Sequence, residues 1–157
     1  MYRILICDDE QDIVNALKIY LSNPDFKLFE ANTGVQALEV MEREDIHLIL
    51  LDIMMPEMDG ISAMVKIREK SNVPIILLTA KSEDTDKILG LNTGADDYIT
   101  KPFNPVEVTA RVRSQLRRSF EMAIFINSSS FYRFHLNVKT AIIKAKKEGY
   151  HVSHSDM

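Results

Sequence analysis

Residues 3–10 read RILICDDE, and the step from the apolar run Ile4–Cys7 to the acids Asp8, Asp9 and Glu10 decides the fold. A short continuous apolar run that stops at a polar loop is the pattern of a strand buried on both faces, as in a parallel sheet. The pattern recurs in HLILL (47–51), which stops at Asp52, and in PIILL (74–78), which stops at Thr79. Helical spacing fills the gaps. Ile13, Val14, Leu17 and Leu21 form one stripe within Glu10–Leu21. Within Thr33–Glu44, Val35, Leu38 and Met41 are expected to point inward, with Asn32 or Thr33 as the cap. Ile61–Glu69 reads as a third helix. Lys27–Ala31 and Asp97–Thr100 read as strands. Ser82–Asn92 reads as a helix that Gly94 ends, and Pro105–Arg118 as a last helix with proline in its first turn, where a missing N–H costs nothing.

The alternation is (βα)5, which implies a parallel sheet covered by helices on both faces. Right-handed crossovers leave few topologies. In the flavodoxin-like order 2-1-3-4-5, the first and third strands are neighbours and ligands bind beyond their carboxyl ends. Asp8 and Asp9 end the first strand and Asp52 ends the third, so the three acids converge although they are far apart in sequence. Lys101-Pro102 follows the fifth strand at the same edge.

The chain has 157 residues, which suits one domain and a small appendage. No apolar run approaches the roughly 18 residues of a membrane span. The N-terminus enters a strand directly and does not read as a signal peptide. The single cysteine, Cys7, excludes an internal disulfide and suits a reducing cytosol; it reads as a small buried strand residue. Residues 1–120 hold 14 Lys/Arg against 20 Asp/Glu, whereas residues 121–157 hold 5 against 3. The acidic main part is a poor partner for nucleic acid.

The loop Asp8-Asp9-Glu10-Gln11-Asp12 would repel a phosphate, so the crevice does not read as a flavin site. It reads as a site for a hard divalent cation, Mg2+ or Mn2+, which takes carboxylate oxygens. Asp52 is then a plausible nucleophile for phosphoryl transfer, with Lys101 and the Thr79 hydroxyl available to the phosphoryl oxygens. Taken singly, a pair of aspartates after a strand is more often a charge pair at a helix start, and Lys-Pro more often a loop. Their joint placement at the ends of strands one, three, four and five carries the functional reading.

ILICDDE (4–10), LILLDIMMPEMDG (48–60), PIILLTAK (74–81) and GADDYITKPF (94–103) together resemble the response-regulator receiver domain of two-component signalling, over roughly residues 2–118. The resemblance implies that Asp52 accepts a phosphoryl group from a histidine of a sensor kinase. It implies that Asp8, Asp9, Asp52 and the backbone carbonyl of Met54 hold the metal, that Thr79 and Lys101 sense the phosphoryl group, and that Tyr98 is the switch residue. It further implies a cis peptide at Lys101-Pro102 and a cytoplasmic location. The segment from Lys87 to Arg118 is similar to the OmpR/PhoB transcription-factor subfamily. That similarity implies a phosphorylation-driven homodimer with the pairs Lys87–Glu107, Asp97–Arg111 and Asp96–Arg118 across the interface and Ile88, Leu91 and Ala110 at its apolar centre.

Residues 119–130, ending in Asn127-Ser128-Ser129-Ser130, read as a linker. Residues 131–157 resemble the opening strands of the subfamily's winged-helix domain, and Thr140–Glu148 also has helical composition. A recognition helix for the major groove is not within this sequence, so DNA contact is expected only through a complete winged-helix domain. His135, His151 and His154 read as solvated. A stand-alone receiver acting by protein contact is the main alternative. A metal-dependent phosphatase of the D-x-D type fits poorly, because Asp52 is followed by Ile53-Met54.

In the family, the position of Met54 tunes how water reaches the acyl phosphate. Methionine has no amide to orient that water, so the phosphoform should be long-lived. Met54→Asn should shorten its lifetime severalfold, read as loss of radiolabelled phosphate from the purified protein; an unchanged lifetime contradicts this account.

Overall fold

The computed structural model of the chain describes residues 1–80 and 94–124. The chain forms two compact units, Met1–Ser119 and Phe120–Met157. The first holds strands β1 (Tyr2–Cys7), β2 (Phe26–Ala31), β3 (Leu48–Asp52), β4 (Ile75–Thr79) and β5 (Asp97–Thr100). Helices α1 (Gln11–Tyr20), α2 (Gly34–Arg43) and α3 (Gly60–Arg68) lie between the earlier strands, and a C-terminal helix covers residues 105–124. All pairings are parallel and the strand order is β2-β1-β3-β4-β5, as the apolar runs predict.

Alternate residues of the strands feed two cores. Leu5, Cys7, Ile49, Leu51, Ile75 and Leu77 face α2 and α3, where Ala37, Val40, Ala63, Met64 and Ile67 are buried. Ile4, Ile6, Leu48, Leu50, Ile76 and Leu78 face α1 and the C-terminal helix, meeting Val14, Leu17, Val108, Val112 and Leu116. Both faces of β1, β3 and β4 are therefore apolar, which is why these strands show no alternation in sequence.

Register places the acids. Cys7 pairs with Leu51 and Asp52 with Leu78, so Asp8 stands level with Asp52 at the carboxyl edge. Thr79 pairs with Thr100, which sets Lys101 one step beyond the same edge. The Lys101-Pro102 peptide is cis, as the resemblance implies.

Two expectations need correction. Val35 is exposed, because the inward stripe of α2 runs through Gly34, Ala37 and Val40, with Leu38 and Met41 half-buried beside it. At 100° per residue, Val35 lies off that stripe. Of the two expected caps of α2, Thr33 serves, as its hydroxyl accepts from the Gln36 N–H at 3.1 Å. Finally, residues 119–124 continue the last helix instead of opening a linker, and Phe120, Met122 and Ile124 are exposed on it. The helix expected over Ser82–Asn92 falls outside the described residues, although Gly94 does take a left-handed φ of 88°.

Loop contacts fix both edges of the sheet, Arg68 at the amino ends of β4 and β5 and the β3–α3 loop at the carboxyl edge. Arg68, at the end of α3, donates through Nε and Nη2 to the Gly94 carbonyl at 3.1 and 2.9 Å and pairs with Asp96 Oδ2 at 2.8 Å. That carboxylate oxygen also accepts the Ile75 N–H at 2.9 Å, so one arginine ties α3, β4 and the start of β5 together. After β3 the chain turns through Glu57, a non-glycine residue at φ 67°, and Asp59 caps α3 by accepting from the Ser62 N–H at 2.7 Å. Gly60 then packs directly on the backbone of Asp52 and donates its N–H to the Ile53 carbonyl at 2.9 Å.

A Cβ on Gly60 would lie 2.0 Å from the Asp52 carbonyl oxygen. Backbone cannot move away cheaply, so Gly60→Ala should destabilise the domain by more than about 3 kcal/mol in urea unfolding. A Cβ on Gly34 would meet Met58 Cγ at 3.0 Å and the Met58 carbonyl oxygen at 3.1 Å, contacts that a shift of a few tenths of an ångström relieves. Gly34→Ala should stay within about 1 kcal/mol, helped by alanine's better helix propensity. Equal costs for the two would refute the close-approach argument.

Candidate functional site

The site lies beyond the carboxyl ends of β1, β3, β4 and β5. Asp8 is fully buried and Asp52 is 3% exposed. Lys101 reaches between them, with Nζ at 3.0 Å from Asp8 Oδ2 and 3.4 Å from Asp52 Oδ1. The other oxygen of Asp8, Oδ1, accepts the Glu10 N–H at 2.9 Å. Thr79 is buried, and its hydroxyl donates to the Ala80 carbonyl at 3.0 Å. Tyr98 is half-buried against the α2–α3 core. Thus Asp8, Asp52 and Lys101 meet directly, while Thr79 ends the strand beside Asp52.

Two buried carboxylates sharing one ammonium leave a charge imbalance. Burial, followed by repulsion from Asp8, pushes the Asp52 carboxyl up to about 7; Lys101 pulls against this, and Asp9 adds to it. Burial works against the Lys101 ammonium, but its bonds to Asp8 and Asp52 outweigh that and hold its pKa above the ordinary lysine value. The Cys7 thiol, one residue before the acids, is pushed up to about 12 by burial and then by Asp8, Asp52 and Asp9. It is therefore a thiol, not a thiolate, at neutral pH, in keeping with the structural role read for it.

Carboxylate oxygens of Asp8, Asp9 and Glu10 all lie within 4.8 Å of one another. Hard oxygen donors at this spacing beside an unbalanced negative charge fit Mg2+ or Mn2+. The grouping differs from the expected set in one member. Glu10 joins Asp8 and Asp9, whereas Asp52 lies outside that cluster. The side chain of Met54 is exposed at the rim.

The expected dimer face is only partly within the described residues; Lys87, Ile88 and Leu91 fall outside them. Glu107, Ala110 and Arg118 are exposed. Within the single chain, Arg111 Nη1 already pairs with Asp97 at 2.9 and 3.0 Å, and Arg111 Nε with Glu107 Oε1 at 3.0 Å. Asp96 pairs with Arg68 of its own chain. Four of the charges expected to meet a second copy, Asp96, Asp97, Glu107 and Arg111, thus have partners within their own chain.

Residues 4–113 match the family model described as the response regulator receiver domain. The response regulator GtcR of Aneurinibacillus migulanus is 40% identical over 156 residues, which cover 96% of this chain and 64% of that protein. The regulatory protein VanR of Enterococcus faecium is 49% identical over 116 residues, covering 74% of this chain and 50% of its own. The transcriptional regulatory protein SrrA of Staphylococcus aureus is 50% identical over a stretch of the same length, 48% of its own. The chain therefore spans about half to just under two thirds of these curated relatives. Among solved structures, the receiver domain of the Francisella response regulator 1452 has a TM-score of 0.69 at 33% identity, covering 76% of this chain and 99% of that one. A CheY-like receiver domain protein from Methanospirillum hungatei has a TM-score of 0.71 at 29% identity, covering 78% and 98%.

The raised pKa of Asp52 fixes a sign. The folded protein binds this proton more tightly than the unfolded chain, whose value is near 3.8, so stability from this group is lost as pH rises from about 4 through about 7. Asp52→Asn removes the ionisation. In metal-free buffer the variant should exceed the parent by about 1–3 kcal/mol at pH 8 and lose that advantage toward pH 4, measured by urea unfolding. A constant difference across that range would show that Asp52 is not held under strain.

Proposed function

The chain belongs to the response regulator receiver family, and from that premise we propose that it is a phosphorylation-controlled switch whose phosphoacceptor is Asp52. One observation carries this reading: a carboxylate 3% exposed at the end of β3 lies 3.4 Å from the Lys101 ammonium and beside a second buried carboxylate. A buried acid in that position is held for chemistry with a positively assisted partner, since its burial alone is unfavourable.

The donor is a phosphohistidine of a sensor kinase. An Asp52 oxygen attacks phosphorus, the P–N bond breaks, the new P–O bond makes an acyl phosphate, and the imidazole nitrogen leaves with the electron pair. Lys101 neutralises a phosphoryl oxygen, and the Thr79 hydroxyl turns from the Ala80 carbonyl to donate to another. Tyr98 moves inward with Thr79. Receiver domains generally bind Mg2+ at their acidic pocket. Asp8, Asp9, Asp52 and the Met54 carbonyl would hold it here, and the ion supplies positive charge for the phosphoryl oxygens.

The output is transcriptional and works through a homodimer. The names of the relatives VanR and SrrA support this, as both are called regulatory proteins. The similarity to GtcR extends over 96% of the chain, past the receiver, and supports reading residues 131–157 as the start of a winged-helix domain, through whose complete form DNA would be bound. In the dimer, Arg111 and Asp97 exchange partners with the second copy, alongside Lys87–Glu107 and Asp96–Arg118, around Ile88, Leu91 and Ala110.

Light scattering with Mg2+ and beryllofluoride, which imitates the phosphoryl group on Asp52, tests the reading. Monomer should become dimer, and Arg111→Glu should abolish the dimer while leaving beryllofluoride binding intact. Binding without dimerisation would favour a stand-alone receiver acting by protein contact. Absence of beryllofluoride binding would refute Asp52 as the acceptor.

A further inference from the structure

Asn32 stands one residue past β2 and one before Thr33, the cap of α2. Its side-chain amide points back across the sheet edge. Nδ2 donates to the Asp8 carbonyl at 3.1 Å and to Gln11 Oε1 at 3.2 Å. Those two acceptors bracket Asp9 and Glu10, so one amide grips both ends of the acidic turn. The grip is itself anchored. The Asn32 N–H donates to Gln36 Oε1 at 2.8 Å, and the Asp8 N–H donates to the Ala31 carbonyl at 3.1 Å. Gln11 Nε2 donates onward to Asn15 Oδ1 at 3.0 Å and Glu30 Oε1 at 3.4 Å, and Glu30 pairs with Lys18 at 3.1 Å.

The turn needs such a grip. Three carboxylates with oxygens inside 4.8 Å repel one another. Glu10, at the N-cap position of α1, makes no side-chain capping bond that would hold it. The other bond drawing the turn together is that of the Glu10 N–H to Asp8 Oδ1 at 2.9 Å, and it uses an oxygen of the cluster itself.

We propose that Asn32 is a positioning residue for divalent-cation binding: by bonding the Asp8 carbonyl and Gln11 together it holds the turn that carries the proposed ligands Asp8 and Asp9 in place beside Asp52. The inference rests on the receiver reading of the site. Asn32 itself touches no ion; it acts through the backbone of Asp8 and the side chain of Gln11. Partners that orient metal ligands in this way commonly control affinity about as strongly as the weaker ligands do.

Calorimetric titration of the full chain with MgCl2 tests the proposal, alongside urea unfolding in metal-free buffer. Asn32→Ala should weaken Mg2+ binding about tenfold while moving the metal-free unfolding midpoint little. Gln11→Ala, at an exposed position, should give a smaller loss. The double variant should bind no more weakly than Asn32→Ala, because both residues act through one bracket. A fully additive double variant, or a loss of metal-free stability with Mg2+ affinity unchanged, would overturn the proposal and leave Asn32 as an ordinary loop staple. Failure of the unsubstituted chain to bind Mg2+ would overturn the receiver reading of the site and this inference with it.

Discussion

Asp8 and Asp52 stand level at the carboxyl edge of a parallel sheet, both almost wholly shielded from water, with one lysine between them. The rest of the structure is arranged around that constraint. Two carboxylates cannot be buried together without compensation, because the interior screens them far less than water does. Compensation comes from β5, the last strand, which delivers Lys101 to the edge that β1 and β3 open. The sheet must therefore be complete as far as β5 before the site is electrostatically tolerable. Function and fold thus depend on the same long-range contact, spanning 93 residues from Asp8 to Lys101. The remaining imbalance, expressed in the raised pKa of Asp52, is what makes the corner receptive to a cation or to a group that uses up the negative charge.

The loops around the edge act to keep that corner from relaxing. Gly60 brings the β3–α3 loop onto the Asp52 backbone so closely that no side chain fits. The same loop accepts a left-handed glutamate at Glu57, a conformation costing on the order of 1 kcal/mol. At the opposite, amino-terminal edge, Arg68 fixes the entry to β5 through Gly94 and Asp96, and β5 carries Lys101 at its far end. Asp8 could escape repulsion by rotating outward, but its N–H bond to the Ala31 carbonyl, the Asn32 side-chain amide on its carbonyl and the Glu10 N–H on its carboxylate hold it. Local strain and tight loop contacts are the expected accompaniment of a site whose charges would otherwise drift apart.

Much of this was legible in the sequence, for a physical reason. Strands covered on both faces give unbroken apolar runs, and each run here ends at a residue of the site, so RILICDD and LILLD announce both element and function. The parallel topology then brings Asp8 and Asp52 together without any knowledge of side-chain contacts. What was not legible depends on side-chain direction. Val35 belongs to a helix whose inward stripe includes Gly34 and Ala37, small residues that hydropathy underweights. Residues 119–124 sit near an Asn-Ser-Ser-Ser tract, yet Glu121 and Ala123 are good helix formers and the helix runs on. Asn32 is recognisable in sequence only as a cap. Its use as a bracket depends on the register between β1 and β2, with Cys7 opposite Ala31, which no local pattern encodes.

The internal partners of Arg111 bear on how a dimer of this domain would be regulated. Its bonds to Asp97 and Glu107 are made at a partly exposed surface, where ion pairs contribute only about 0.2–1 kcal/mol. Exchanging them for the same pairs across an interface is therefore nearly neutral in energy. Such pairs fix register and exclude wrong partners, but they add little net affinity. The association must draw its strength from apolar area and from the shape of the face. With Asp97, Glu107 and Arg111 already paired within the chain, these three charges supply no net electrostatic drive to assembly. Were this face to pair as proposed, a bias of only a few kcal/mol from the Asp52 corner would be enough to move the equilibrium from mostly monomer to mostly dimer. The internal pairing of Arg111 is thus compatible with the proposed switch.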